Sequence, residues 1–161
     1  MSHGPLRRLI SRFRREEDGV ALVEFAVTFP IMLLIFGVIV EGSRTFWSYQ
    51  SAISGVRDAT RYAGRAAPRN VCATTGTISD LDGALLDIVA SSIFAGAVRV
   101  DSVTSTVECV DGNWRGGRAP IASVTATLII DYPLNGLFRL VGGDLGQLTT
   151  SVTDSTRIYG T

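Results

Sequence analysis

Residues 20–40 form an apolar run of 21 residues that contains one acid (Glu24), one hydroxyl (Thr28) and one proline (Pro30). A helix of that length rises roughly 31 Å, which is close to the hydrocarbon thickness of a bilayer. The run therefore predicts a membrane-spanning helix. A carboxylate at the centre of such a helix costs about 2.5–3.5 kcal/mol. Glu24 thus requires either a place at the headgroup level or a positive charge supplied by a neighbouring subunit in a packed helical assembly.

Charge is distributed unequally on the two sides of this run. Five arginines precede Gly19, whereas only Arg44 and Arg57 lie within about 20 residues beyond Val40, the range over which arginine sets topology. We therefore expect the amino-terminal side to be cytoplasmic and the bulk of the chain to lie outside. A secretory signal peptide fits less well, because the run is longer than an ordinary apolar core and lacks a small-residue cleavage pattern. An uncut signal anchor remains an alternative.

The residues around Glu24 carry a family resemblance. Gly19, the apolar residues 20–23, Glu24 and Phe25 look like a type IV prepilin processing site, cut between Gly19 and Val20. The chain from 17 to 66 resembles the TadE-like family of pseudopilins or minor pilins of the tight-adherence (Tad, or Flp) pilus system. Further residues that carry the likeness are Val23, Ala26, Pro30, Leu33, Leu34, Gly37, Glu41, Gly42, Arg44 and the stretch 59–63.

The resemblance implies a structural or assembly subunit rather than an enzyme. It implies processing by a prepilin peptidase and packing through the amino-terminal helix, in which Glu24, Phe25 and Pro30 take part. In that arrangement Glu24 neutralises the new amino group of Val20 on an adjacent subunit. The implied partners are the peptidase, other Tad pilins or pseudopilins, inner-membrane assembly proteins and membrane lipid.

Helical periodicity continues beyond the apolar run. Apolar and small residues recur at intervals of three and four, and Pro68 ends the pattern, so we predict one helix from about Val20 to Ala66. Pro30 predicts a kink or a locally melted turn near 26–30. The predicted apolar face of the outer part consists of Phe46, Tyr49, Ile53, Val56, Thr60 and Ala63, and Phe46, Trp47 and Tyr49 are placed as an interfacial aromatic belt.

Arg57, Arg61 and Arg65 recur every fourth residue and form a ridge of like charge. A solvated helix face is the simpler interpretation. The alternative is a docking ridge for an acidic partner or for lipid phosphates.

The remainder, 67–161, predicts a small α+β domain. Ser79 is placed as the N-cap of a helix with an apolar face that includes Leu85 and Val89. Three β-rich stretches follow, over 98–110, 121–132 and 148–158, and a three-stranded antiparallel sheet with one face on a helix is the economical arrangement. The family resemblance implies the same pilin-like architecture. Cys72 and Cys109 are the only cysteines, and outside the cytoplasm they predict a disulfide.

Composition argues against several classes of function. The only histidine is His3, in the segment expected to be removed, and all fifteen basic residues are arginine. A histidine base, a histidine metal ligand and a lysine nucleophile are therefore missing from the processed chain. We expect no catalytic residue, no metal and no cofactor. Asp80, Asp82 and Asp87 are better explained by the start and the wet face of a helix than by a hydrolase. Basic tracts are confined to the leader, so nucleic acid is not expected as a partner.

The predicted organisation is a cytoplasmic basic leader (1–19, cleaved), a transmembrane helix (20–40), a helical stalk (41–66) and an extracytoplasmic α+β domain (67–161). The predicted location is the inner membrane, single-pass, with the carboxyl-terminal domain in the periplasm or carried into the pilus. The competing hypothesis is an uncleaved bitopic protein whose extracytoplasmic α+β module binds a ligand or partner. The amino-terminal sequence of the protein in native membranes separates the two.

Overall fold

A computed structural model of the protein describes residues 17–94, 96–112, 117–139, 142–144 and 146–160. The predicted basic leader lies, up to residue 16, outside the described residues. The order of elements is α1 (Glu17–Ala66), α2 (Asp82–Ser92), β1 (Val98–Val110), β2 (Ala119–Asp131), α3 (Asn135–Arg139) and β3 (Gln147–Arg157). Two 3₁₀ turns, Val71–Ala73 and Ser79–Leu81, precede α2. The fold class is α+β, as predicted.

The chain divides into two compact units, one that ends at Val40 and one that begins at Glu41. The first unit is the amino-terminal part of α1. Most of its large apolar side chains are exposed, with fractions from 41% at Leu33 to 70% at Leu22, and Leu34 and Val40 are half-buried. This helix is long and apolar enough to cross a membrane. An exposed apolar surface of this kind requires lipid or other helices around it.

The sheet of the second unit has the order β1-β2-β3, and both strand pairs are antiparallel. The register places Val103, Ala126 and Val152 in one row across the three strands. Residues of β2 alternate between a buried face and a half-buried face, because successive strand residues point to opposite sides. The buried residues of β2 are Ala119, Pro120, Ala122, Val124, Ala126, Leu128 and Ile130.

The other face of the sheet is polar. Ser123 hydrogen-bonds Ser155 and Thr125 hydrogen-bonds Thr153, both at 2.9 Å between hydroxyl oxygens. Such cross-strand hydroxyl pairs stabilise a solvated face modestly. The sheet thus packs its apolar face inward and leaves its hydroxyl face to solvent, as the alternation in the sequence predicts.

The outer part of α1 packs on this domain largely through small side chains, and three residues of the predicted face, Val56, Thr60 and Ala63, are fully buried as predicted. Phe46 was placed on the packed face, but it is 66% exposed. The buried residues of this part of the helix are Glu41, Ser48, Ala52, Gly55, Val56, Ala59, Thr60, Ala63 and Gly64. Small residues allow the helix backbone to approach its neighbours closely, and this approach selects the face that is buried.

Gly55 and Gly64 mark the closest approaches. A Cβ atom at Gly55 would lie 1.9 Å from the Ser92 hydroxyl oxygen, and one at Gly64 would lie 2.7 Å from a methyl carbon of Thr156. The amide of Tyr159 also donates to the carbonyl of Gly64 at 2.8 Å. Helix α1 is therefore joined both to α2 and to the end of β3.

The start of α2 also differs from the prediction. Ser79 begins a 3₁₀ turn, and the N-cap position of α2 is Leu81, which makes no side-chain cap. The Ser79 hydroxyl instead accepts a hydrogen bond from the Thr77 hydroxyl. Asp82 does lie in the first turn of α2, and its carboxylate accepts a hydrogen bond from Ser105 of β1. Leu85 and Val89 are fully buried, as predicted.

Candidate functional site

Glu24 lies on α1 among exposed apolar side chains. Its neighbours Val23 and Phe25 are 61% and 60% exposed, and Glu24 is itself exposed. In the described part of the chain no basic group lies within ion-pair distance of its carboxylate. If this helix is surrounded by lipid or by other helices, the counter-charge has to come from the chain's own amino end or from another molecule.

The Gly19–Val20 bond lies in the first turns of α1. Val20 is 63% exposed, and a Cβ atom added at Gly19 would meet nothing within 4 Å. The described residues thus leave this bond unobstructed.

The helix continues through Pro30 without interruption, so the melted turn, one of the two predicted outcomes, is wrong, and the kink stays a prediction. The Thr28 hydroxyl donates to the carbonyl of Glu24 at 2.8 Å, and the rings of Phe25 and Phe29 stack with centroids 5.1 Å apart. A proline removes a single backbone donor, and the neighbouring turns keep their hydrogen bonds. Glu24, Phe25 and Pro30 therefore belong to one regular helix.

The predicted arginine ridge lies in the second unit, on the exposed side of α1. Arg57, Arg61 and Arg65 are all exposed. Arg61 pairs with Asp58 at 3.5 Å, with side chains 70% and 64% exposed. An exposed pair of this kind contributes about 0.3–0.5 kcal/mol. The arrangement is what a solvated helix face has, and a docking role for the ridge stays a prediction.

Cys72 and Cys109 form a disulfide, with Cα atoms 5.9 Å apart. The bond joins the 3₁₀ turn that follows α1 to the end of β1. It thereby holds the connection between α1 and the sheet in place. No other cysteine exists in the chain.

Glu41 is a feature that the sequence reasoning did not single out beyond its place in the family pattern. Its side chain is only 3% exposed, and neither carboxylate oxygen has a hydrogen-bond partner among the described residues. The Thr45 hydroxyl, one turn further along α1, is buried and unpartnered in the same way. A buried carboxylate without a partner costs several kcal/mol. The sequence shows an acid directly after the apolar run, which could have drawn attention to Glu41. Its burial results from tertiary packing, which the sequence pattern does not show.

Phe46 and Trp47, two of the three residues predicted as an aromatic belt, are exposed, whereas Tyr49 is half-buried against the core. Trp47 is 67% exposed and contacts Phe94, which follows α2, in an edge-to-face arrangement with centroids 6.4 Å apart. Phe94 is itself 68% exposed. The aromatic group predicted from 46–49 thus includes a residue that lies far away in sequence.

Two carboxyls near the turn between β2 and β3 have shifted acidities. Hydrogen bonds from Gln147 at 2.6 Å and from Arg99 at 3.1 Å lower the pKa of Asp131. Hydrogen bonds from Asn135 and from the Gly146 amide lower the pKa of Asp144. Both groups are exposed and serve the turn. Across the residues that the structure describes, no cluster of histidine, cysteine and acidic side chains has the composition of a metal site.

Residues 19–61 match the sequence model of a family described as TadE-like protein. The match includes Gly19, Val20, Glu24, Phe25 and Pro30. It confirms the resemblance over the amino-terminal part of the chain, in a family that is structural and non-enzymatic. Neither the comparison with curated proteins nor that with solved structures gives a match.

Proposed function

We propose that this protein is a TadE-like pseudopilin or minor pilin that acts in the assembly of a Tad (Flp) pilus, with the family match over residues 19–61 as the premise. The observation that carries the proposal is the exposed apolar helix that bears Glu24 five residues after Gly19. A helix with this much exposed apolar surface is stable only where lipid or other helices cover it. The family implies proteins of the pilus system as partners.

The first step of the proposed function is processing. A prepilin peptidase cuts the bond between Gly19 and Val20 and removes the basic leader, which carries five arginines and three acids. The new amino group on Val20 then lies about one helical turn from the level of Glu24. The peptidase works at the cytoplasmic side, and the domain that begins at Glu41 is extracytoplasmic in this account.

The second step is pairing between subunits. The Glu24 carboxylate meets the Val20 amino group of an adjacent subunit, and this pair fixes the axial register of the two helices. A charge in an apolar surrounding is tolerated when it is paired, and the loss of one member leaves the other uncompensated, at a cost of about 3–5 kcal/mol. Phe25 and Pro30 shape the packed surface around the pair.

The proposal is tested by variants at the two positions in the native host. Gly19→Leu should block processing, whereas Gly42→Leu, a substitution at an exposed glycine of the same helix, should leave it intact. Glu24→Gln should leave membrane insertion and processing intact and impair assembly. Glu24→Asp keeps the charge and should retain part of the assembly. Normal piliation with Glu24→Gln contradicts the pairing role.

The sequence leaves one competing interpretation, an uncleaved bitopic protein with a binding module. In that case the protein from native membranes keeps residues that precede Val20. These experiments separate processing from pairing. Gly19→Leu prevents the cut itself, whereas Glu24→Gln affects only the assembly of protein that has already been cut.

A further inference from the structure

A mainly apolar pocket lies beside the outer part of α1 in the second unit. Arg44 and Trp47 contribute to its wall from α1, and Phe94, Gly96 and Ala97 contribute from the connection between α2 and β1. Its volume is about 290 Å³. This volume is close to the lower end of the range for small-ligand sites, which is about 300–1,000 Å³. The pocket can therefore hold part of an organic ligand.

Two aromatic rings at the pocket stay exposed although they contact each other. Trp47 and Phe94 come from different elements and meet edge to face. Phe46, next to Trp47 on α1, is exposed as well. Large aromatic rings contribute most of their stabilising effect when they leave water, and tryptophan is enriched at the level of lipid headgroups. The aromatic patch therefore favours an interfacial surrounding over bulk water.

The guanidinium of Arg44 places a positive charge at the pocket. A Cβ atom at Gly96 would lie 3.0 Å from Nη2 of Arg44, so the missing side chain at Gly96 leaves room for this guanidinium. Among the described residues no carboxylate lies within ion-pair distance of Arg44. Glu41, about one turn earlier on α1, is buried, and its oxygens have no hydrogen-bond partner in the described part of the chain. Arg44 is exposed and therefore accessible to an anion.

Arg44 and Trp47 follow closely on the apolar run. In the sequence Arg44 comes four residues and Trp47 seven residues after Val40. In a helix these separations correspond to a rise of about 6 and 10 Å, and helical side chains lean back toward the amino-terminal turn. The headgroup layer of a bilayer is about 5–8 Å thick on each side. If the run spans a membrane, the Arg44 guanidinium and the Trp47 ring both reach the headgroup layer.

We propose that the pocket binds a phospholipid of the membrane that α1 enters. The lipid phosphate accepts charge-assisted hydrogen bonds from the Arg44 guanidinium, whose fork matches a phosphate group. Trp47, Phe94 and Ala97 provide an apolar surface for the glycerol backbone and the first methylenes of an acyl chain. The bound lipid holds the connection between α2 and β1 at the membrane surface.

This inference rests on one part of the proposed function, the insertion of α1 into a membrane, which the bitopic alternative shares. It requires neither the cut after Gly19 nor the pairing of Glu24. Failure of the experiments below therefore leaves processing and pairing untouched, and failure of processing or pairing leaves the lipid site untouched.

The first measurement tests whether Phe94 lies at the bilayer. The full chain carries Trp47→Phe and Trp114→Phe, which remove both tryptophans, and then either Phe94→Trp or, as the matched control, Tyr159→Trp. Phe94 and Tyr159 are 68% and 64% exposed, and the Tyr159 amide is bonded to Gly64, near the carboxyl-terminal end of α1.

Both proteins are placed in vesicles of phosphatidylcholine that is brominated in its acyl chains, and tryptophan emission is compared with that in unbrominated vesicles. Emission of the Phe94→Trp protein should be quenched, and emission of the Tyr159→Trp protein should not. Unquenched emission of the Phe94→Trp protein, the result expected if a second copy of the chain covers the aromatic patch, overturns the proposal. Equal quenching of the two proteins overturns it as well.

The second measurement tests the role of the phosphate. Native mass spectrometry of the full chain in detergent compares the binding of phosphatidylglycerol with that of diacylglycerol, which has the same acyl chains and no phosphate. Phosphatidylglycerol should bind about tenfold more tightly or better, because it adds charge-assisted hydrogen bonds. Arg44→Gln should abolish this preference. Arg65→Gln, at an exposed arginine of the same helix, should keep it.

A soluble competitor separates a lipid from a free phosphate ester. Glycerol 3-phosphate carries the phosphate without acyl chains, and at the same concentration as phosphatidylglycerol it should not displace the lipid. Displacement at equal concentration assigns the site to a soluble anion and overturns the proposal. Equal binding of the two lipids, or an unchanged preference in the Arg44→Gln protein, also overturns it.

Discussion

Substitution of Gly55 by alanine tests the packing of α1 on the domain. A Cβ atom at this position would lie 1.9 Å from the hydroxyl oxygen and 2.9 Å from the Cβ of Ser92, and 3.2 Å from the Cα of Val89. The Ser92 hydroxyl, which donates to the Val89 carbonyl at 2.7 Å, would have to leave its place. The backbone of α2 cannot rotate away as a side chain can, so α1 and α2 must separate by a few tenths of an ångström.

The magnitude follows from a comparison with Gly42→Ala. Alanine stabilises an exposed helix position by about 1 kcal/mol relative to glycine, and a Cβ at Gly42 meets nothing within 4 Å. The same gain in helix propensity applies at Gly55, where overpacking opposes it with about 1–3 kcal/mol. The propensity gain cancels between the two variants. Gly55→Ala should therefore be about 1–3 kcal/mol less stable than Gly42→Ala.

Thermal unfolding of the full chain in detergent, followed by circular dichroism, measures this difference. For a protein of this size, it corresponds to a midpoint about 2–12 °C lower for Gly55→Ala than for Gly42→Ala. Equal midpoints for the two variants, or a higher one for Gly55→Ala, would refute the close approach of α1 to α2.

Three further predictions concern the same domain. Replacement of Cys72 and Cys109 by serine should lower the free energy of unfolding by about 4 kcal/mol, the chain-entropy value for a disulfide that joins residues 37 apart in sequence. Denaturant unfolding measures this difference, and a loss below about 1 kcal/mol contradicts the prediction. Glu41→Met should raise the free energy of unfolding by about 1–3 kcal/mol, because it removes a buried carboxyl group whose oxygens have no hydrogen-bond partner among the described residues. A less stable variant contradicts this reasoning. The pKa of Asp131 lies below its usual 3.8, chiefly because Gln147 donates a hydrogen bond to its carboxylate. The ionised carboxylate therefore adds to the free energy of unfolding above pH 3.8, and this stabilisation is lost as the pH falls through the lowered pKa. Gln147→Leu should make the unfolding midpoint fall less steeply as the pH is lowered through this acidic range. The same dependence of the midpoint on pH in the variant and the unchanged protein contradicts this prediction.

Local pattern was sufficient to predict the sheet. Strand β1 begins at Val98 and ends at Val110, as the β-rich stretch indicates, and β2 and β3 differ from the predicted bounds by one or two residues. The inward face of β2 follows directly from alternation, since one face is apolar and the other is not. The helix α1 ends at Ala66, two residues before the proline that was expected to end it.

Local sequence pattern did not predict the features that depend on close packing between elements. The face predicted for the outer part of α1 is buried at Val56, Thr60 and Ala63, but the prediction included the exposed Phe46. It missed Ala52 and Ala59, which are buried because the neighbouring elements approach the helix closely there. Leu148, an apolar residue near the start of β3, is 50% exposed. Hydrophobicity predicts which residues favour burial, and the distance between elements decides which of them fit.

The candidate sites also differ in whether local sequence pattern could reveal them. The processing and pairing residues are contiguous in sequence, so the motif itself brought Gly19 and Glu24 to attention. A cavity in the second unit is lined by Arg69, Arg118 and Arg157, which the disulfide, the register of the strands and the hydrogen bonds of Ile158 and Tyr159 bring together. A sequence pattern does not reveal a site built from three separate segments.

The amino-terminal sequence of the protein in native membranes tests the central claim most directly. Purified protein is digested, and mass spectrometry searches for the peptide that begins at Val20 and for any peptide that spans the Gly19–Val20 bond. The account predicts a new amino terminus at Val20 in the protein from the host strain, and uncut protein in the Gly19→Leu variant. Peptides that span this bond throughout the purified protein, with none that begins at Val20, would contradict it.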